Sequence, residues 1–224
     1  MSISLKNIYI SINDILIIKD LSLQVDGGEF CLIGGESGIG KTTLLNVVSG
    51  LKKPDQGEIF LNDKTLNSKN KFVLPEKRNI GYVFQDFALF PHINVYKNIT
   101  FASENISKDL FSKTIEALKL EEHINKMPYQ LSGGLQQRAA IARAIMMKPS
   151  LLLLDEPCSN LDAQNSDSVQ SILSWYAKEF EVACLIVSHD FEMFDKIKNV
   201  WTGSSEELLK QWVHHSAAFC QADL

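Results

Sequence analysis

No stretch of the 224 residues approaches the ~18 to 20 consecutive apolar residues that a membrane-crossing helix needs. The start, Met1-Ser2-Ile3-Ser4-Leu5-Lys6, has neither the charged nor the apolar region of a secretory signal. Together these absences predict a cytosolic chain. Positive charge is not in excess either: 22 Lys and Arg face 27 Asp and Glu, for a net charge of -5. Phosphate neutralisation needs a concentrated basic surface, so nucleic acid is not expected as a partner. Only four cysteines occur, Cys31, Cys158, Cys184 and Cys220, far apart and without metal-ligand spacing. They are expected to be reduced, three of them in or beside buried strands. Repeats and low-complexity tracts are lacking too. What is present is an ordinary globular composition, 45% hydrophobic and 22% charged, long enough to build a core without a disulfide or metal staple.

Against that background one stretch stands out. Gly35-Glu36-Ser37-Gly38-Ile39-Gly40-Lys41-Thr42 matches G-x-x-x-x-G-K-[ST] at every fixed position. Glycines let the backbone close into a concave turn whose N–H groups point at an anion, and a helix starting near Lys41 adds its own free N–H groups. Lys41 is expected to reach the outer phosphates of a nucleotide, and the Thr42 hydroxyl to ligate the accompanying Mg2+. A glycine-rich turn with no ligand is the alternative. The context argues against it, because Glu29 to Ile33 reads as a strand and Thr43 to Val48 as a helix.

Before the cradle, Ile8-Tyr9-Ile10 and Leu16-Ile17-Ile18 read as strands separated by Asn13-Asp14, which predicts a small antiparallel sheet. Gly50 is a helix stop, and Pro54 to Gly57 a turn into the strand Glu58 to Leu61. The polar run Asp63 to Lys71 is expected to be an exposed loop, followed by a strand at Ile80 to Phe84. From Phe87 to Lys148 the spacing is helical: Leu110, Phe111, Ile115 and Leu118 share a face, and Ser132 is placed to cap a helix reaching Met147. Leu151 to Leu154 and Val182 to Val187 are strands flanking a helix whose face is Val169, Ile172, Leu173 and Tyr176. This βαβ alternation implies a parallel sheet, with the helical block as an inserted subdomain.

Further motifs follow in order. Tyr82-Val83-Phe84-Gln85, Leu131-Ser132-Gly133-Gly134-Leu135-Gln136-Gln137-Arg138, the apolar strand ending in Asp155-Glu156, Ser159-Asn160-Leu161-Asp162, and Val187-Ser188-His189-Asp190 are each weak alone. With the cradle, the series resembles the nucleotide-binding subunit of ATP-binding-cassette (ABC) transporters over nearly the whole chain. The resemblance implies an α/β fold with a P-loop NTPase core of mixed or parallel sheet. An N-terminal antiparallel β subdomain and an inserted α-helical subdomain complete it. The boundaries expected are core and β subdomain at 1–86 and 149–203, helical subdomain at 87–148, and a short tail at 204–224.

The resemblance also assigns tasks. Glu36, Ser37, Gly38, Ile39, Gly40 and Thr43 join Gly35, Lys41 and Thr42 in holding ATP. Thr42 and Gln85 hold Mg2+ directly and Asp155 supports it. Glu156 is the general base or water-orienting group, and His189 senses the γ-phosphate. Ser132, Gly133, Gly134 and Leu135 face the ATP of a second copy, with Asp162 a further contact, so two nucleotides lie in a head-to-tail homodimer. The apolar run Phe87 to His92 is read either as core or as a groove for a helix of a membrane permease. With Leu74 to Ile80 it resembles the import branch serving sugars, polyamines, sulfate, iron or thiamine, a solute-binding protein being an optional further component. The chain is then peripheral, held on the cytoplasmic face of the cell membrane by the permease. Members of several such systems carry an additional C-terminal β domain, for which this sequence leaves no room.

The sequence departs from the family at three places. Ile12 stands where members stack an aromatic ring on adenine; it offers apolar contact without stacking, which predicts lower nucleotide affinity or selectivity. Leu135 stands where the family signature, which Leu131 to Arg138 resembles, usually has Gln. After His189 no room is expected for a complete β hairpin, and His214 and His215 are read as tail residues without a metal. Export, lipoprotein release, a non-transport role and a degenerate binding subunit remain the alternatives to an importing ATPase.

Overall fold

The computed structural model describes residues 1–103, 105–188, 197, 199–204 and 211–215. Strands β1 (Ile3–Ile12) and β2 (Ile15–Val25) form a hairpin whose two turn residues, Asn13 and Asp14, have φ of 50° and 62°. Positive φ at both central positions gives the turn a twist matching that of the strands. With β4 (Gln56–Leu61), β5 (Lys64–Ser68) and β6 (Lys71–Phe72) the hairpin makes a five-stranded antiparallel sheet, in the order β2-β1-β4-β5-β6. Here the expected loop from Asp63 to Lys71 is corrected. These polar residues pair as strands because Leu66 and Asn67 turn inward, each 3% exposed, and the Asn67 amide donates to the Gly57 carbonyl at 2.9 Å.

The second sheet has six strands, in the order β11-β10-β3-β9-β8-β7. They are β3 (Phe30–Gly35), β7 (Ile80–Val83), β8 (Leu151–Asp155), β9 (Ala183–Val187), β10 (Asn199–Ser204) and β11 (Gln211–His215). All pairings are parallel except that of β10 with β11. A second expectation is corrected at this point, since an antiparallel strand pair does follow β9, and its second strand occupies part of the stretch assigned to the tail. His214 belongs to it, stacking on Trp201 with ring centroids 5.0 Å apart and bonding Asn199 at 3.0 Å.

Both faces of the parallel sheet are buried, and alternation along each strand divides them. Leu151 and Leu153 of β8 and Ala183 and Leu185 of β9 face the antiparallel sheet, with helix α1 (Lys41–Ser49) between the two. Leu152, Leu154, Cys184 and Ile186 face a helical layer instead. That layer comprises α2 (Val95–Thr100), α3 (Lys108–Ala117), α4 (Gly133–Met146) and α5 (Ala163–Glu179). Side chains of Asn94, Ser107, Ser132 and Asp162 cap these four helices, each accepting a backbone N–H from three residues on. Cys31 and Cys184 are buried free thiols and Cys158 is buried; Cys220 lies outside the described residues. Among the described residues no helix is long and apolar enough to cross a membrane.

One buried cation fastens α1 from behind. Arg78 is 2% exposed and donates to the carbonyls of Val48 at 2.7 Å, Val47 at 3.2 Å and Val73 at 2.7 Å. The first two belong to the last turn of α1, where a positive charge is favourable. Burial lowers the Arg78 pKa to about 10, which leaves it charged at neutral pH. Gly50, at φ 87°, gives the guanidinium its space: a Cβ there would lie 2.4 Å from Arg78 Nε.

Candidate active site

The carboxyl ends of β3 and β8 and the start of α1 meet in a cleft of about 410 Å³. A loop carrying Gly38 at φ 83° and Gly40 at φ 111° joins β3 to α1. Left-handed backbone at both glycines turns the chain sharply enough to enter the helix directly. Because Gly40 is the N-cap, no side chain covers the first turn of α1, and its N–H groups stay available to an anion. The Lys41 ammonium folds back over the loop, donating to the Gly35 carbonyl at 2.6 Å and the Glu36 carbonyl at 2.8 Å. Burial lowers its pKa, while the charges of Glu156 and Asp155 act the other way.

Asp155, the last residue of β8, is 2% exposed. Burial raises its carboxyl pKa and the neighbouring Glu156 charge adds to that, whereas a hydrogen bond from the Thr42 hydroxyl and the Lys41 charge oppose it. The next residue, Glu156, is held at φ 52° with its N–H on the Val187 carbonyl at 2.9 Å. Left-handed backbone at a non-glycine residue costs on the order of 1 kcal/mol or more, and here it aims the acid away from the strand and into the cleft. Ser37, Thr43, Val187 and Gln85 complete the lining, with Ile12 of β1 as the outlying wall. Thr42, Gln85 and Asp155 therefore border one space with hydroxyl, amide and carboxylate oxygens, the hard donor set that suits Mg2+.

The loop that follows Gln85 is strained and pinned. Phe87 and Ala88 have φ of 65° and 46°, and the Arg143 guanidinium donates to both carbonyls, at 2.9 Å and 2.6 Å. Farther on, the buried Asn98 amide donates to the carbonyls of Phe90 and Ile93 at 3.1 Å and 3.0 Å. Sequence reasoning missed Arg143 and Asn98. A charged residue within the apolar stretch of α4 was the one available signal for Arg143.

A second hollow, of about 370 Å³, opens at the start of α4. Ser132, Gly133 and Gly134 line it on one side, and Asn160, Leu161, Asp162 and Asn165 on the other. Ser132 Oγ accepts the Leu135 N–H at 3.3 Å. No atom lies within 4 Å of where a Cβ on Gly133 would sit, whereas one on Gly134 would press against the Asn160 carbonyl at 3.0 Å. Leu135 packs against the helical core and does not line the hollow. Asp162 lies here, beside the signature of its own chain, and caps α5 by accepting the Asn165 N–H at 2.9 Å. That bond is the main cause of its lowered pKa. The fold thus gathers the cradle, Asp155, Glu156, Gln85 and Ile12 in one place and Ser132 to Gly134 with Asp162 in another. His189 falls outside the described residues.

The chain is similar to known proteins in both sequence and structure. The sequence model of the ABC transporter family matches residues 18–159. The spermidine/putrescine import ATP-binding protein PotA of Legionella pneumophila is 42% identical over 196 residues, which is 85% of this chain and 53% of that protein. The Fe(3+) ions import ATP-binding protein FbpC of Fusobacterium nucleatum is 38% identical over 198 residues, or 86% and 52%. The chain therefore spans about half the length of these curated relatives. Among solved structures, the dimeric ATP-binding cassette MJ0796 in a post-hydrolysis state bound to ADP and Pi superposes with a TM-score of 0.76 at 31% identity, covering 93% of this chain and 98% of that one.

Proposed function

This chain belongs to the ABC transporter family, and on that premise we propose that it is an ATP-hydrolysing subunit working as a head-to-tail pair to drive a separate import permease. One observation carries the reading: Lys41, Thr42, Asp155 and Glu156 border the same cleft as an uncapped helix N-terminus. Phosphoryl transfer to water is mostly positioning and charge stabilisation, and this cleft supplies both. Loop N–H groups and the Lys41 ammonium bind the phosphates, Lys41 exchanging its two carbonyl partners for phosphate oxygens. Thr42, Gln85 and Asp155 are the residues that would hold Mg2+, which would supply neutralisation of phosphate charge. Glu156 orients the attacking water and accepts its proton, within reach of the γ-phosphate.

The hollow at Ser132 completes the site from a second copy. Its N–H groups at Gly133 and Gly134 begin a helix, so they meet an anion as the cradle does. Nucleotide bridging the two chains closes the pair, and hydrolysis opens it. On the outer face, Phe90 packs on Phe101 with centroids 4.5 Å apart, and Phe101 is 65% exposed. This apolar surface, beside the loop that carries Gln85, suits a short helix from the permease, which supports docking on the cytoplasmic face of the membrane. The two relatives are named for import of different cargoes, a polyamine and ferric ions, at nearly equal identity to this chain. Cargo selection accordingly belongs to the permease. The test is steady-state Mg2+-dependent ATP hydrolysis, with the chain alone and with its copurified membrane partner. Turnover that rises on adding the partner supports the proposal, and absence of ATP hydrolysis under both conditions overturns it.

A further inference from the structure

Thr42, Asp155 and Gln85 border the space assigned to Mg2+, and the first two are tied together directly. The Thr42 hydroxyl bonds the Asp155 carboxylate, which joins the start of α1 to the end of β8. Gln85 reaches the cleft from another element. It is exposed and stands two residues beyond the end of β7. The spacing between β7 and α1 therefore sets how far Gln85 lies from the other two.

Tyr82 spans that spacing. It pairs with Leu153 of β8, and its side chain packs into the core on the side of the sheet that α1 covers. Its hydroxyl donates to Asn46 Oδ1 at 3.2 Å. Asn46 lies one turn beyond Thr42 on α1, so the two share a helix face. On the other side, the Tyr82 ring stacks on Phe84 with centroids 4.0 Å apart and planes 20° from parallel, and Gln85 follows Phe84 directly. One hydrogen bond and one ring stack thus connect the helix turn that carries Thr42 to the stem that carries Gln85. Burial pushes the Tyr82 phenol up and the Asp155 charge adds to the shift, so the hydroxyl remains a donor at neutral pH. Arg78 holds the last turn of α1, and Tyr82 holds the helix one turn from Thr42.

We propose that Tyr82 is a positioning residue: through Asn46 it fixes the gap between Thr42 and Gln85, and with it the affinity of the cleft for the divalent cation that accompanies a nucleotide. The inference rests on the nucleotide-binding reading above and adds two residues that stand outside the lining of the cleft. The experiment measures equilibrium binding of a non-hydrolysable ATP analogue to the full chain, with Mg2+ and with EDTA. Wild type, Tyr82→Phe, Asn46→Ala and the double variant are compared. Tyr82→Phe keeps the ring and its stack and removes only the hydroxyl. Each single variant is expected to lose about three- to tenfold in affinity with Mg2+ and to stay within about twofold of wild type in EDTA. The double variant is expected to lose about as much as either single, because both break the same bond. A bond that serves stability alone would lower the melting temperature and move the two affinities together or not at all, and that pattern overturns the inference. Additive losses in the double variant overturn it as well. Wild type that binds the analogue no tighter with Mg2+ than with EDTA also overturns it, while leaving the nucleotide reading in place. If the analogue binds wild type under neither condition, both fall together.

Discussion

The cleft at Lys41 and the hollow at Ser132 both lie where a helix begins, yet they are furnished for different work. The cleft concentrates charge: Lys41, Asp155 and Glu156 sit close enough to shift the titration of the first two, and Asp155 is almost fully buried. At the hollow, Gly133 faces open space, Ser132 Oγ is occupied with a backbone N–H, and Asp162 serves α5. One region therefore holds the reacting groups, and the other offers N–H groups to an anion. On the proposed pairing the two regions complement each other, reacting groups from one copy and helix-start N–H groups from the other.

The largest effect is expected at Glu156. Glu156→Gln keeps the shape of the cleft and removes the proton acceptor, so turnover is expected to fall about 10²- to 10⁴-fold while ATP binding, measured by equilibrium titration, persists. Loss of binding in parallel would blur the comparison by making Glu156 a structural residue. Next comes the hollow. Gly133→Asp places a side chain where nothing is within 4 Å, and an acid in the first turn of a helix is stabilising. The melting temperature is expected to hold or rise while turnover falls about 10- to 100-fold, since the new carboxylate repels phosphate. Retained turnover would detach the hollow from the chemistry.

The smallest effect concerns Asp155. Its folded pKa is raised, so the folded state binds the proton more tightly than the unfolded state. That favours folding below about pH 4 and is lost as pH climbs through the raised value, leaving the charge a cost at neutral pH. Asp155→Asn is expected to melt at or above wild type at pH 7, by roughly 2–4 °C for each kcal/mol recovered. The gap should close as the pH approaches about 4. A lower melting temperature for Asp155→Asn at pH 7 would mean that the Thr42 hydrogen bond and Lys41 outweigh burial.

How much of this was legible in the sequence depended on how local each feature is. The cradle, the acidic strand end and the cap Ser132 are contiguous patterns, and a few residues of chain determine their geometry. Val169, Ile172, Leu173 and Tyr176 announced α5 because one buried face repeats at helical spacing. Strands β5 and β6 were misread because these short polar strands carry only Leu66 and Phe72 as apolar markers, and their pairing depends on β4. The β10 and β11 pair was missed for the same reason, a short pairing whose partner lies farther along the chain. Arg78 and Arg143 act on carbonyls 30 and 55 residues away, so no local pattern reveals them. Ile12 was legible as a position, but the hydrogen bonds that hold its neighbour Ser11 come from Asp55 and Lys52 through the fold.

The central claim is that each working site takes its cleft from one copy and its hollow from another. Mixing two inactive variants tests it most directly. Lys41→Ala disables the cleft and spares the hollow, and Gly133→Asp does the reverse. In a head-to-tail heterodimer of the two, one site combines both faults and the other combines neither. ATP hydrolysis by an equimolar mixture is therefore expected to recover toward about a quarter of the wild-type rate, given random pairing. A mixture no more active than the average of its two inactive components would contradict the account.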